Sequence, residues 1–321
     1  MSDSIQVLDE TGRWKARDVR YWKGRWNLLQ GQVPRFTTED FCVGPDGPAN
    51  PYQRSVVRQP MTRVEKAIPV AVVSNSYTLV QHTEVANKCF EGIQSAGIKT
   101  DELECELGLT ELGEWMNLRV YFPDRFSHIP FDGNKICLRL ECINSVDRSS
   151  KLIILLSWLR IICTNGMVVR RTRTELSDIH NEHLDLKQVP IVIGKAMKMV
   201  EDDVRRLKGW EERPIPKTFP DWINGTLADR WGKKAACRTF HICQSGHDVE
   251  YQDPFALGEP TEKPVKKIRP VPGAPMPARN LYDLSQALSW IATSRPNSEE
   301  RLDWQSAIPK LMETVESITP A

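Results

Sequence analysis

The sequence predicts an α+β protein in which antiparallel β-hairpins pack with helices and a helical hairpin closes the C-terminus. Three observations carry this. Residues 103–109 and 115–122 flank a Thr110–Gly113 turn, and in the second run Met116, Leu118, Val120 and Phe122 alternate with Asn117, Arg119 and Tyr121. That is the two-residue period of a strand with one buried and one wet face. A second pair follows: Ile136, Leu138, Leu140 and Cys142 alternate, a polar turn spans 144–150, and the nearly continuous apolar run Leu152–Ile162 reads as a central strand. Helical spacing then replaces alternation over Pro190–Gly209 and again over 280–318.

Taken in order, the chain divides into four segments. Residues 1–55 form a basic and aromatic N-terminal arm, ending in the turn-rich Gly44–Pro51. Residues 56–250 form the α+β core. It opens with the β-branched run Pro69–Ser74, then a helix capped at Thr83 that carries Val85, Ala86, Cys89, Phe90 and Ile93 and stops at Gly97. The two hairpins follow, then the 190–209 helix. Arg170, Arg171 and Arg173 fall where a helix is expected to start. Within Lys233–Asp248, Cys237, Thr239, His241 and Cys243 alternate with Arg238, Phe240 and Ile242, which predicts one more short strand. Residues 251–279 are a Pro-rich linker or surface strap, with seven prolines between Pro254 and Pro277. Residues 280–321 are C-terminal helices that pack on the core, turning near Arg295-Pro296-Asn297.

Composition narrows the function classes. With 40% hydrophobic and 26% charged residues and a mean hydropathy of −0.42, the 321-residue chain is globular rather than disordered. The longest apolar run is broken by Arg160, far short of the ~20 residues of a membrane span. The first residues show neither a basic nor an apolar leader segment, so a cytoplasmic address and no membrane partner are expected. Eight cysteines without secretory context read as thiols. The 43 basic and 42 acidic residues leave a net charge of +1, so a polyanionic partner must be met by a local patch.

Such a patch is offered by residues 13–26, where Arg13, Lys15, Arg17, Arg20, Lys23 and Arg25 interleave with Trp14, Tyr21, Trp22 and Trp26. With one acid among them, the stretch carries six minus one, or +5. Cations neutralise phosphates while rings stack on unpaired bases. Arg170, Arg171 and Arg173 are a second cluster, since cations at a helix start oppose its dipole and invite an anion. Lys233 and Lys234 are a third.

Metal chemistry has two weak candidates. Cys237, His241, Cys243 and His247 lie within eleven residues, but ligands spread along a strand diverge by ~6.6 Å per two residues. His180 and His183, near Asp178 and Asp185, lack the metalloprotease spacing. No nucleophile elbow, phosphate-binding loop or dinucleotide fingerprint occurs in the sequence, so no cofactor and no catalytic residue is assigned. The acidic run 101–114 reads as a wet strand face.

Several strings resemble a known family as a set. They are Val73-Ser-Asn-Ser-Tyr77-Thr-Leu-Val-Gln81-His-Thr-Glu-Val85, Ile143-Asn-Ser-Val-Asp-Arg148-Ser-Ser, Leu159-Arg160-Ile-Ile-Cys163-Thr-Asn165-Gly166, Gly232-Lys-Lys-Ala-Ala-Cys-Arg-Thr-Phe-His, and Asn280-Leu-Tyr-Asp-Leu-Ser-Gln-Ala-Leu-Ser289. In this order they resemble the phage/plasmid-like family of domains of unknown function numbered 932 (DUF932), over about residues 56–315. The resemblance implies a mobile-DNA context and no particular activity. By fold-level analogy, the α, hairpin, hairpin, α order is similar to the Rad52-like single-strand annealing proteins.

These readings lead to a mobile-element protein that binds DNA, single strands favoured, without catalysis, with an annealing or recombination role and a homo-oligomeric assembly. The alternatives are a metal-assisted hydrolase or nuclease using His180 and His183 or the 237–247 set, and a module that binds or inhibits a host protein through exposed tryptophans.

Overall fold

In the computed structural model, the residues described are 6–8, 19–42, 44, 47–160, 165–167, 176–178, 185–251, 259–262 and 265–319. In chain order the strands are β1 (Gln6–Leu8), β2 (Val19–Gly24), β3 (Phe36–Cys42), β4 (Ala49–Arg58), β5 (Ile68–Ser74), β6 (Glu104–Thr110) and β7 (Trp115–Tyr121), then β8 (Ser127–His128), β9 (Ile136–Ser145), β10 (Leu152–Arg160), β11 (Asn165–Met167), β12 (Leu176–Asp178), β13 (His247–Tyr251) and β14 (Val265–Pro270). The helices are α1 (Trp26–Leu29), α2 (His82–Ser95), α3 (Gln188–Lys198), α4 (Val200–Glu212), α5 (Phe219–Trp222), α6 (Ala228–Trp231), α7 (Lys233–Ser245), α8 (Leu281–Thr293) and α9 (Ser298–Glu316). Mixed helices and antiparallel sheets make this an α+β protein, as expected. No helix among the described residues is long and apolar enough to cross a membrane.

The chain forms two compact units. Unit 1 comprises Met1–Arg125, Arg139–Leu156 and Thr172–Lys198. Its main sheet runs β1-β2-β6-β7-β9-β10, with β12 also on β10. Both expected hairpins are present, with β6 and β7 pairing from Glu104↔Tyr121 to Leu109↔Met116. One face is apolar. Trp22, Leu107, Leu118 and Cys142 form one cross-strand row, and Leu109 and Met116 belong to the next. Helix α2 covers it with Val85, Ala86, Cys89, Phe90 and Ile93, all buried. The Cys142 thiol is hydrogen-bonded to Cys89, and that bond together with burial holds it well above the ordinary thiol range. His82 locks the same end, its Nε2 bonded to the Gly113 carbonyl at 2.9 Å and its Nδ1 accepting from Asn144 Nδ2 at 2.9 Å. A second sheet, β3-β4-β5, closes its own small core of Phe36, Val56, Val73 and Val146.

Unit 2 comprises Phe126–Leu138, Ser157–Arg171 and Met199–Ala321. Here the first residues of β9 pair with β8 and the last residues of β10 pair with β11. The centre of the unit is α8, buried nearly all round through Leu281, Tyr282, Leu284, Ala287, Leu288, Ile291 and Ala292, which is the signature of a core helix. It packs against α4, α7 and α9. Both helices of the expected C-terminal hairpin are capped: Asn280 accepts from the Asp283 amide, and Asn297 accepts from Glu299 and Glu300.

Two expectations are corrected. Residues 233–245 are helical, not a strand. Alternation over 237–243 fits a two-residue period, but Ala235, Ala236, Thr239, Ile242 and Cys243 also make a buried stripe at helical spacing, and the longer stripe decides. The helix start expected at 170–173 lies outside the described residues; those described before and after it belong to β11 and β12, both antiparallel to β10, and α3 starts at Gln188. The face of β6 and β7 expected to be wet is buried, with Glu106, Asn117 and Arg119 at 9%, 1% and 3% exposure.

Candidate nucleic-acid interface

In unit 2, part of the Pro-rich segment becomes β14 and pairs with β13 in a two-stranded ribbon from His247↔Pro270 to Tyr251↔Val265. Pro270 stands at the last position of the strand, where a missing amide costs the ladder least. Among the described residues β14 has β13 as its one strand neighbour, so it is an edge. Its residues 266–270 are all exposed, and three of them are Lys266, Lys267 and Arg269. Helix α7 packs on β13 and carries Lys233 and Lys234, both exposed, in its first turn. Over 233–251 and 265–270 the count is six cations against Asp248 and Glu250, or +4.

One of those two acids is enclosed. Asp248, 1% exposed, accepts a bidentate pair of bonds from Arg238, both at 2.8 Å, and a third from Trp290 Nε1 at 3.0 Å. Burial opposes its charge, but Arg238 and Trp290 outweigh burial and hold the carboxyl below its ordinary range. Arg269 lies over the Trp290 ring at 4.6 Å, with its Nε 3.7 Å from Asp248. Asp248 therefore fastens the ribbon to α7 and α8 and adds little negative charge outside. Glu250 stands opposite Lys266 in register.

The metal candidate changes geometry with the helix. Cys237 and His241 are four residues apart on α7, Cys243 lies elsewhere on the helix, and His247 Nδ1 bonds the Ser245 carbonyl at 2.7 Å. Burial pushes the Cys237 thiol up to about 11, and burial followed by the nearby Lys267 lowers His241. Among the described residues no group of three or more His, Cys, Asp or Glu is placed to hold a metal ion. His180 and His183 lie outside the described residues, as do Arg170, Arg171 and Arg173.

The N-terminal cluster is divided. Arg13, Trp14, Lys15 and Arg17 lie outside the described residues. Arg20, Tyr21, Trp22 and Lys23 belong to β2, which is hydrogen-bonded to β6 along Val19↔Thr110 to Gly24↔Cys105. Arg20 is exposed, and Lys23 pairs with Glu104 at 2.9 Å. Tyr21 lies against Gly108, where a Cβ would come within 2.7 Å of its ring, so only glycine fits there. Arg25 is half-buried next to Trp26. Trp26 is corrected as a base-stacking candidate: it is 8% exposed, stacks on Phe90 with centroids 5.6 Å apart, and donates to Asn87 at 3.0 Å. Among the described residues Trp22, Trp290 and Trp304 are half-buried and the other tryptophans are buried.

In unit 1 the charges close on each other. Glu141, fully buried, accepts from Arg119 Nε at 3.2 Å, Asn117 Nδ2 at 3.0 Å and Arg139 at 2.9 Å, while Arg119 also donates to Glu106 at 2.8 Å and Tyr121 donates to the same carboxylate at 2.8 Å. Burial works against the Arg119 charge, yet Glu141 and Glu106 outweigh it and raise its pKa.

The result is an α+β protein with a closed ionic network in one unit and a displayed cationic ribbon in the other. Residues 69–223 match the family described as Domain of unknown function (DUF932). The matched segment is shorter than the 56–315 resemblance and ends before α7 and the ribbon. No curated protein and no solved structure matches the chain.

Proposed function

We propose that this protein binds single-stranded DNA without catalysing a reaction on it, as a DNA-associated component of a mobile element with a role in annealing or recombination. The observation that carries the reading is β14, an edge strand that holds Lys266, Lys267 and Arg269 in four consecutive exposed positions. Lys233 and Lys234, on the helix packed against its partner strand, extend the cationic surface. Phosphates along a strand are met by such a row without base readout, so binding is sequence-tolerant and driven by counterion release.

The test is a mobility-shift titration with single- and double-stranded oligonucleotides at two salt concentrations, on protein stripped of nucleic acid. The single strand is retained at low salt, and log K falls with log salt by about 0.7 for each phosphate neutralised. The double change Lys266→Glu and Lys267→Glu weakens binding by roughly tenfold or more and flattens that slope. No shift by the natural protein at low salt overturns the proposal. Unchanged binding by the folded double variant removes the ribbon from it.

A further inference from the structure

Unit 2 also holds a turn whose chemistry the cationic ribbon does not use. Residues Ile129-Pro130-Phe131-Asp132-Gly133 put two large apolar side chains into solvent: Ile129 is 65% and Phe131 78% exposed, while Pro130 between them is buried. The turn is rigid. The Gly133 amide bonds the Pro130 carbonyl at 2.9 Å, and the Asn134 amide bonds Asp132 Oδ1 at 2.9 Å. Its charge is also consumed, because the buried Arg160 gives Nη2 to Asp132 Oδ2.

The same Arg160 Nη2 bonds the Gly273 carbonyl at 3.0 Å. Gly273 stands three residues beyond Pro270, the end of β14, a chain distance of at most about 11 Å. A Cβ on Gly273 would fall 2.7 Å from Arg160 Nη2 and 3.2 Å from Asn134 Nδ2, so the two loops touch. One buried guanidinium thereby joins the turn that carries Phe131 to the segment that follows the cationic strand.

We infer that Phe131 is the base-stacking platform of the proposed DNA site, with Ile129 beside it, and that the combination selects unpaired strands. The inference rests on the reading of the ribbon as a DNA-binding surface and adds what that reading lacks, a contact to bases. Cations alone hold duplex and single strand alike through phosphates. An aromatic face held next to them rewards bases that are free to unstack, and stacking tolerates any sequence because every base has a π-face. Holding the ring in a closed turn spares part of the ordering cost of binding. Charge complementarity commits the apolar patch to this occupant: its one acid is neutralised by Arg160, and the segment that Arg160 ties to it follows a strand carrying Lys266, Lys267 and Arg269.

The experiment compares fluorescence anisotropy of a labelled oligothymidine with that of an abasic strand of equal length, using the full chain at low salt. The natural protein binds the oligothymidine more tightly. Phe131→Ala lowers that affinity by roughly five- to 150-fold and leaves the abasic strand unaffected, because the ring contributes only where a base is present. Phe131→Trp retains or raises it. Full-chain binding to neither strand overturns the DNA reading itself. Binding with Phe131→Ala equal to the natural protein overturns this inference alone, as does an equal loss on both strands. Self-association that disappears in Phe131→Ala with no change in strand affinity would give the patch to a second copy of the chain and overturn it as well.

Discussion

The β6–β7–β9 layer of unit 1 and the β13–β14 ribbon of unit 2 are both antiparallel strands rich in charge, and they use it in opposite ways. Across unit 1 the register sets Lys23, Glu106, Arg119 and Glu141 in one row, so that the sign alternates from strand to strand. Every carboxylate in the buried part of that row has a guanidinium partner, and Arg139 closes on Glu141 from the same strand. Along β14 the cations follow one another on a single strand. Alternation across strands cancels charge and lets it be buried, whereas repetition along an edge leaves it to solvent. Charged strands therefore close on each other in one unit and display their charge in the other, and the register distinguishes them.

The comparison is broken most severely at Arg119. Arg119→Met strips Glu106 and Glu141 of their shared partner while both remain buried, which costs about 3–5 kcal/mol. Denaturant unfolding reads this loss, and the folded fraction still binds oligonucleotide as the natural protein does. A variant in which Glu106, Arg119, Arg139 and Glu141 are all replaced by apolar residues of similar volume recovers most of the stability, because the network offsets its own desolvation. A loss of strand binding in that stable variant would show that unit 1 charges take part in the site.

A smaller effect is expected at Gly273, where the φ of +70° and the space taken by Arg160 both exclude a side chain. Gly273→Ala costs roughly 1–3 kcal/mol through the left-handed backbone. It also pushes the strap away from the 129–134 turn, so its oligothymidine affinity falls to the level of Phe131→Ala while abasic binding holds. Full affinity in this variant would uncouple the ring from the ribbon.

How much of this was legible in the sequence depends on the range of the interaction that decides each element. The β6–β7 and β9–β10 hairpins and α2 follow from local period and the C-terminal hairpin from period and caps, although α2 begins at His82, before the Thr83 cap expected for it. Helix α7 was misread because a seven-residue window fits two periods and only the stripe from Ala235 to Cys243 separates them. The buried polar face of β7 looked wet because alternation reveals which side chains share a face, and not that Arg119 finds Glu106 and Glu141 on neighbouring strands. Trp26 lay inside the most suggestive cationic stretch, yet its partner Phe90 is 64 residues away. For the site, Lys233 and Lys234 were singled out, and the cations at 266–269 were set aside as linker because a Pro-rich composition hides a six-residue strand. Phe131 carried no signal at all: one aromatic in a turn gains meaning only through Arg160, 29 residues later in the chain.

The smallest effect sharpens what fastens the ribbon. Asp248 has a folded pKa below its unfolded value, near 3.8, so its contribution is fully present above that value and is lost as pH falls through the folded one. Acid therefore loosens the ribbon from α7 and α8 before any lysine changes charge. Trp290→Phe removes one of the bonds that favour the carboxylate and keeps a ring beneath Arg269. The folded pKa then rises toward the ordinary value, stability at pH 7 drops by about 1 kcal/mol, and the acid transition moves to higher pH. Unfolding curves of the two proteins converge once pH has fallen through the folded pKa of the natural protein, where both carry Asp248 protonated and the missing indole bond has no carboxylate to serve. Curves that stay parallel through the whole acid transition would mean that Trp290 supports α8 through packing alone, and that Arg238 by itself holds the ribbon to the helices.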